Sequence, residues 1–308
     1  MLSILIPIYN YDARLLVQQL HQQALSAGIE YEILLLDDAS DNTQLSEGNR
    51  CLKELSNVTI FELPTKAGRA VARNFLAGEA KYNHLLFLDC DSEPIDDKFI
   101  ERYIPYCKEK NIVVCGGTAY KPEKPATDSY LRWIYGVKCE TQSAAERNKA
   151  KKTKFFTFNF LIDRDLFWSI RFNELLKSYG HEDTIFGLEL QKRNCHITHI
   201  DNPLYHIGID NNITYIKKTR QGVENLKILL DSYEDREQLI QYIRLLQYYS
   251  ILEKTYTIWL GSLFYRIFRS LMESNFKSKH PNLTLLNLYK LGYLSYIVRR
   301  KKYQDSNL

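Results

Sequence analysis

The stretch His84-Leu85-Leu86-Phe87-Leu88-Asp89-Cys90-Asp91 runs from an apolar segment straight onto two carboxylates. A short apolar run bounded by polar residues reads as a buried central strand. Asp89 and Asp91, one residue apart at its carboxyl end, then point into the crevice where open α/β sheets bind ligands, which is where a metal-bound diphosphate would sit. An Asp-x-Asp triplet alone suits a solvated loop or a helix cap equally well, so the segments around it carry the decision.

Strand-like runs at Leu2–Ile8, Glu32–Leu36, Val58–Leu63 and Ile112–Cys115 accompany this one, with helix-like segments at Ala13–Ala27, Gln44–Leu55, Gly68–Ala80 and Asp97–Lys108 between them. Alternation at this spacing predicts an α/β domain whose mostly parallel sheet carries helices on both faces. From Tyr120 to Lys154 the chain turns polar, with Pro122, Pro125 and the charge run Glu146 to Lys154, and reads as a mobile insertion over the site. A second organised block, Phe155 to His206, contains Phe158-Asn159-Phe160-Leu161-Ile162, then Gly180-His181-Glu182-Asp183 leading into a helix from Thr184 to Arg193.

Beyond Asn212 the pattern is helical only, with segments at Lys217–Asp231, Arg236–Met272 and Leu283–Lys302. Tyr256–Met272 is rich in large apolar residues but interrupted by Arg266 and Arg269, and Leu285–Val298 runs into Arg299-Arg300-Lys301-Lys302. Neither reaches the roughly 18 uncharged apolar residues of a spanning helix. A helical lid packed on the α/β core and a peripheral contact with an anionic membrane surface are the two readings of this extension.

Of the 308 residues, 45% are hydrophobic, enough to bury a sizeable core. A net charge of +4 without a clustered basic face in the first two thirds is too little to argue for nucleic-acid binding, so no nucleic acid is expected as a partner. The six cysteines form no CxxC pair and read as reduced, cytosolic thiols. Met1-Leu2-Ser3-Ile4 enters strand pattern at once, without the basic region of a signal peptide.

Tyr9-Asn10 follows the first strand and Asp37-Asp38-Ala39-Ser40-Asp41 the second. In a doubly wound sheet these turns and the Asp89 turn converge on one edge, where a carboxylate can accept from a nucleobase imide and an aromatic can stack on the base. The crevice lacks the GxGxxG turn of a dinucleotide oxidoreductase and the Gly-rich, Arg-containing loop of a nucleotidyltransferase.

Taken in order, Ile6-Pro7-Ile8-Tyr9-Asn10, Asp37-Asp38-Ala39-Ser40-Asp41, Gly68 with Ala72-Arg73-Asn74, Asp89-Cys90-Asp91 and Glu182-Asp183 resemble the inverting family 2 glycosyltransferases of the GT-A fold. One departure stands out: Lys66 occupies the place where the family pattern has Asn, two residues before the glycine. The resemblance implies a GT-A, Rossmann-like domain over 1–212, with a nucleotide-sugar half to about 118 and an acceptor half from about 119, and a helical region over 213–308. It implies that Pro7, through its backbone, and Tyr9 frame the base, that Asp38 accepts from the imide, that Arg73 contacts the nucleotide and that Asp89 meets the ribose. Asp91 would ligate Mn²⁺ or Mg²⁺, with His206 completing the metal site in competition with His199 and His196.

For chemistry, an inverting transfer needs one base to take the proton of the attacking acceptor hydroxyl. Asp183 is the candidate base, with Glu182 holding a sugar or acceptor hydroxyl; both also suit the first turn of a helix. The implied function is a cytoplasmic enzyme moving a sugar, hexosyl or N-acetylhexosaminyl, from a nucleotide-diphosphate donor, a UDP-sugar foremost, to a saccharide or lipid-linked acceptor in surface polysaccharide synthesis. The rival readings are a catalytically degenerate scaffold of the same fold and a nucleotidyltransferase.

Overall fold

The computed structural model describes residues 1–149, 155–174 and 180–305, with the side chains of 301–305 excepted. The strands are β1 (Leu2–Ile8), β2 (Tyr31–Asp37), β3 (Val58–Glu62), β4 (His84–Leu88), β5 (Ser92–Pro94), β6 (Val113–Cys115), β7 (Thr118–Ala119), β8 (Asn159–Asp163), β9 (Ile197–His199) and β10 (Leu204–His206). The helices are α1 (Arg14–Ser26), α2 (Thr43–Arg50), α3 (Arg69–Glu79), α4 (Tyr130–Cys139), α5 (Ala144–Lys149), α6 (Arg164–Ile170), α7 (Glu182–Lys192), α8 (Asn212–Ser232), α9 (Arg236–Tyr242), α10 (Arg244–Lys254), α11 (Ile258–Phe276) and α12 (Leu283–Asp305).

Two compact units result: Met1–Pro122, Gly136–Lys177 and Glu182–Gly208 make the first, and Glu123–Tyr135, Ser178–His181 and Ile209–Leu308 the second. The first is built on a seven-stranded sheet in the order β3-β2-β1-β4-β8-β6-β9. Strands β1 to β4 pair in parallel, whereas β8 runs antiparallel between β4 and β6. All five residues of β4 are buried, as the apolar run requires of a strand covered on both faces. Phe87 stacks on Phe160 at 4.8 Å and on Phe167 at 5.1 Å, and Phe172 stacks on Phe186 at 4.6 Å, so aromatic rings fill one layer of the core.

A small second sheet, β5-β10-β7, sits in the same unit. Its register is decisive for the site, because His206 lies opposite Ser92, the residue after Asp91, while Tyr205 lies opposite Ala119, the residue before Tyr120. Three segments far apart in the sequence are thereby fixed side by side.

The second unit is helical. Tyr215, Ile216, Tyr265, Met272, Phe276, Leu286 and Tyr289 form its core. α11 and α12 approach closely at Gly261 and Gly292, where an added methyl would meet Ser295 Oγ at 2.6 Å and Tyr265 Cβ at 3.0 Å respectively.

Three local expectations change. The segment read as a helix over Asp97–Lys108 forms a tight 3₁₀ helix over Glu101–Lys108 with Pro105 inside it, which lacks the N–H an α-helix interior needs. Arg236–Met272 is three helices rather than one, broken where Ile243 adopts an extended backbone and where Tyr256 takes a positive φ of 58°. The stretch read as an irregular insertion, Tyr120–Lys154, holds α4 and α5, with Leu131, Trp133 and Arg147 buried; its charge run lies outside the described residues from position 150 onward.

Candidate active site

The carboxyl ends of β1, β2 and β4 deliver the predicted clusters to one edge of the sheet. Ile8 pairs with Asp37, and the Asp38 amide donates to the Ile8 carbonyl at 2.9 Å, so the turns after β1 and β2 are tied together. The Asn10 amide donates to Ser40 Oγ at 2.8 Å, and the Asn10 side chain to Asp41. Asn10 and Ala39 both take positive φ, 51° and 54°, an uncommon conformation for residues with a β-carbon and one that clusters in functional turns. Pro7 precedes this corner at the end of β1, partly exposed.

Asp37 serves the turn itself, accepting from the Ser40 amide at 2.8 Å and from Ser46 Oγ at 2.8 Å. Asp38 reaches across to the loop before α3, accepting from the amides of Ala67 at 2.6 Å and Gly68 at 2.9 Å. That loop carries Lys66, whose ammonium lies 3.3 Å from the centroid of the exposed Tyr9 ring. The family departure thus occupies the face of the aromatic expected to meet the base, as a cation–π pair.

Arg73, on α3, is 1% exposed. Its Nη2 donates to Asp89 Oδ1 at 2.7 Å, and its Nη1 lies 3.7 Å from Glu182 Oε1. The buried guanidinium thus sits between two carboxylates, hydrogen-bonded to Asp89 and ion-paired with Glu182. It joins the end of β4 to the start of α7, and with them Asp89 to the Glu182-Asp183 pair.

Asp183 accepts from the Thr184 amide at 2.7 Å and from the Thr184 hydroxyl. Burial pushes its carboxyl up to about 6, with the neighbouring Glu182 charge adding to the effect. A carboxylate poised there can both take and hold a proton near neutral pH, which is what a general base requires.

Asp91 and His206 meet, with His206 Nε2 at 3.1 Å from Asp91 Oδ2. The Asp91 carbonyl also accepts from the Ile207 amide at 2.9 Å, and a side-chain carbon at Gly208 would collide with Asp91 Cβ, so the loop after β10 closes on this residue only because Gly208 lacks one. A carboxylate oxygen beside an imidazole nitrogen is a donor pair that suits Mn²⁺. No group of three or more His, Cys, Asp or Glu side chains gathers as a metal cluster among the described residues. The competing histidine His199 is turned elsewhere, with its Nδ1 at 3.1 Å from Nη1 of the buried Arg147.

Two members of this site escaped sequence reading, Tyr120 and Glu140. Tyr120 stands beside His206, its hydroxyl oxygen 3.0 Å from His206 Nδ1, and its O–H donates to Glu140. Only the pairing of β7 with β10 reveals this.

A sequence profile described as Glycosyl transferase family 2 matches residues 3–172. The chain belongs to that family. A curated relative, an uncharacterized glycosyltransferase of Haemophilus influenzae, is 28% identical over 120 residues, which cover 38% of this chain and 46% of that protein. The match therefore spans less than half of the relative's length. Among solved structures, Staphylococcus aureus TarS 1–349 in complex with UDP matches with a TM-score of 0.51 at 16% identity, covering 99% of this chain and 91% of that one. The mannosyltransferase PcManGT of Pyrobaculum calidifontis, in complex with GDP-Man and Mn²⁺, matches with a TM-score of 0.55 at 13% identity, covering 97% and 86%. At such identities these likenesses establish the GT-A fold.

Proposed function

We propose that this protein is a metal-dependent inverting glycosyltransferase that moves a sugar from a nucleotide-diphosphate donor to a saccharide or lipid-linked saccharide acceptor. The observation that carries the reading is the ion-paired link from Asp89 through Arg73 to Glu182, which joins the carboxylates after β4 to the raised carboxyl of Asp183. Asp183 is the base for the acceptor hydroxyl, and Glu182 holds a hydroxyl of the sugar or acceptor. Tyr9, the Pro7 backbone and Asp38 receive the base, and Asp89 the ribose. Asp91 and His206 would hold Mn²⁺ or Mg²⁺. That cation, when bound, neutralises charge developing on the leaving diphosphate. UDP is the favoured carrier, in keeping with the UDP complex of a protein of this fold, and the setting is surface polysaccharide synthesis on the cytoplasmic side.

A screen of UDP-, GDP-, dTDP- and CMP-sugars by thermal shift, with and without Mn²⁺, tests this directly, because a ligand that binds only the folded chain raises its melting temperature. At least one donor should raise it in a Mn²⁺-dependent way. Silence across the whole panel would overturn the reading.

We further propose that the helical unit touches an anionic membrane surface, bringing the enzyme to a lipid-linked acceptor. Trp259, Leu263, Ile267 and Leu271, one helical turn apart along α11, are 48%, 42%, 62% and 68% exposed, and the exposed Arg266 and Arg269 flank them. The neighbouring aromatics divide: Phe268 is 41% exposed, whereas Tyr289 is fully buried and Phe264 and Tyr293 pack on the helical core. No helix among the described residues is long and apolar enough to cross a membrane. Arg299 and Arg300 close the described side chains of α12, and Lys301 and Lys302 lie outside them. Ile267→Glu with Leu271→Glu should leave the melting temperature unchanged and reduce sedimentation with anionic liposomes. Equal sedimentation with the wild type would remove this stripe as the contact.

A further inference from the structure

We propose that Lys66 is a specificity-determining residue of the donor site: it yields the Tyr9 ring to the incoming base and donates to the base carbonyl beside the imide N–H that faces Asp38. The inference rests on the nucleotide-donor reading above. The Lys66 ammonium lies 3.3 Å from the centroid of Tyr9, a ring that is 37% exposed. Lys66 is exposed as well, and a cation–π contact in water is weak enough for a stacking base to displace. Its backbone is held in place. The two residues after it donate their amides to Asp38, Ala67 to Oδ1 at 2.6 Å and Gly68 to Oδ2 at 2.9 Å. Asp38 is 4% exposed, and its own amide donates to the carbonyl of Ile8, the neighbour of Tyr9. Ring, carboxylate and lysine therefore form one knot, and an ammonium that leaves the ring stays beside Asp38.

The chemistry of the pair selects the base. Each Asp38 oxygen keeps a lone pair after these bonds, so the carboxylate offers only acceptors, whereas an ammonium offers three donors and no acceptor. Side by side they complement a base edge that sets an N–H next to a carbonyl, as uracil, thymine and guanine do. Cytosine and adenine present the reverse, a ring-nitrogen lone pair next to an amino group, which would turn the lone pair on the carboxylate and the amino N–H on the ammonium. A site built to hydrogen-bond one edge rejects a base that leaves its groups unpaired. Asp41 lies close enough for the Lys66 charge to contribute, after the Asn10 side chain, to holding its carboxyl low, so the lysine works beside the same turn after β2 that carries Asp38.

The test is isothermal titration, in the presence of Mn²⁺, of UDP against CDP and of GDP against ADP, using the wild type and Lys66→Met. Methionine keeps the length of the side chain and removes its charge and donors. In the pair that binds, the wild type should favour UDP over CDP, or GDP over ADP, by at least about 10-fold, and the variant should lose about 10-fold of that preference through weaker binding of the favoured member. Because Lys66 is exposed, the variant should melt with the wild type. A wild type that does not distinguish the members of the pair overturns the proposal without recourse to any variant. An unchanged preference in Lys66→Met overturns it too, and an equal loss for both members would assign the ammonium to the diphosphate they share. Failure of the wild type to bind UDP, GDP or dTDP at all would defeat the donor reading itself, and the proposal with it.

Discussion

Replacing Asp183 by Asn is expected to slow sugar transfer by about 10²- to 10⁴-fold while leaving donor binding nearly unchanged, because the amide keeps the shape and loses the proton acceptor. That span corresponds to roughly 3 to 5 kcal/mol of barrier. The wild-type pH profile belongs to the same prediction. A base whose carboxyl is pushed up to about 6 by burial together with the neighbouring Glu182 charge is disarmed as the pH falls, so kcat/KM should drop with unit slope below about pH 6. The same group acts in the opposite sense on stability. The folded chain retains a proton that the unfolded chain has released between the ordinary carboxylate range and about 6, so this group's contribution to stability declines as the pH rises through that window. Asp183→Asn should therefore melt at a higher temperature than the wild type at neutral pH. A variant that kept more than about a tenth of the turnover would pass the role of base to another group, Glu182 first.

The second large effect concerns Asp91. Asp91→Asn should remove the Mn²⁺-dependent part of nucleoside diphosphate affinity, by about 100-fold or more, since losing a direct ligand costs at least what losing its supporting partner does. The fold should survive, because the side chain is 26% exposed and the backbone bonds that close the loop over it do not use the carboxylate. Isothermal titration of UDP with and without Mn²⁺ separates the metal-dependent increment from the rest. Unchanged affinity in the variant would strip Asp91 of this role.

Much of the site was legible because its residues lie at strand ends, where a local pattern implies a position. The run Leu85–Leu88 had to be a covered strand, and once it was, Asp89 and Asp91 had to fall at the crevice edge with Tyr9 and Asp38. Arg73 was legible as a site residue, but a charge on an amphipathic helix does not announce its neighbours, and only tertiary burial places it between Asp89 and Glu182. Tyr120 and Glu140 were hidden for a different reason. They sit in a stretch whose prolines and charges obscure its order, and Tyr120 reaches His206 through strand pairing 86 residues away, which no periodicity encodes. The same limit governs β8, whose apolar run is plain in the sequence while its antiparallel insertion between β4 and β6 is set by packing. In the helical tail, the chain's own pattern gave aromatics beside basic residues. Whether each faced core or surface was decided by the approach of α11 to α12 at Gly261 and Gly292.

The central claim is that the Asp91 and Asp183 carboxylates serve a metal-assisted sugar transfer. The most direct measurement is the release of nucleoside diphosphate from UDP-, GDP- and dTDP-sugars by the purified protein with Mn²⁺, water serving as acceptor, with Asp91→Asn and Asp183→Asn assayed alongside. The account predicts release from at least one donor by the wild type and its loss in both variants. No release from any donor, or equal release by the wild type and both variants, would contradict it.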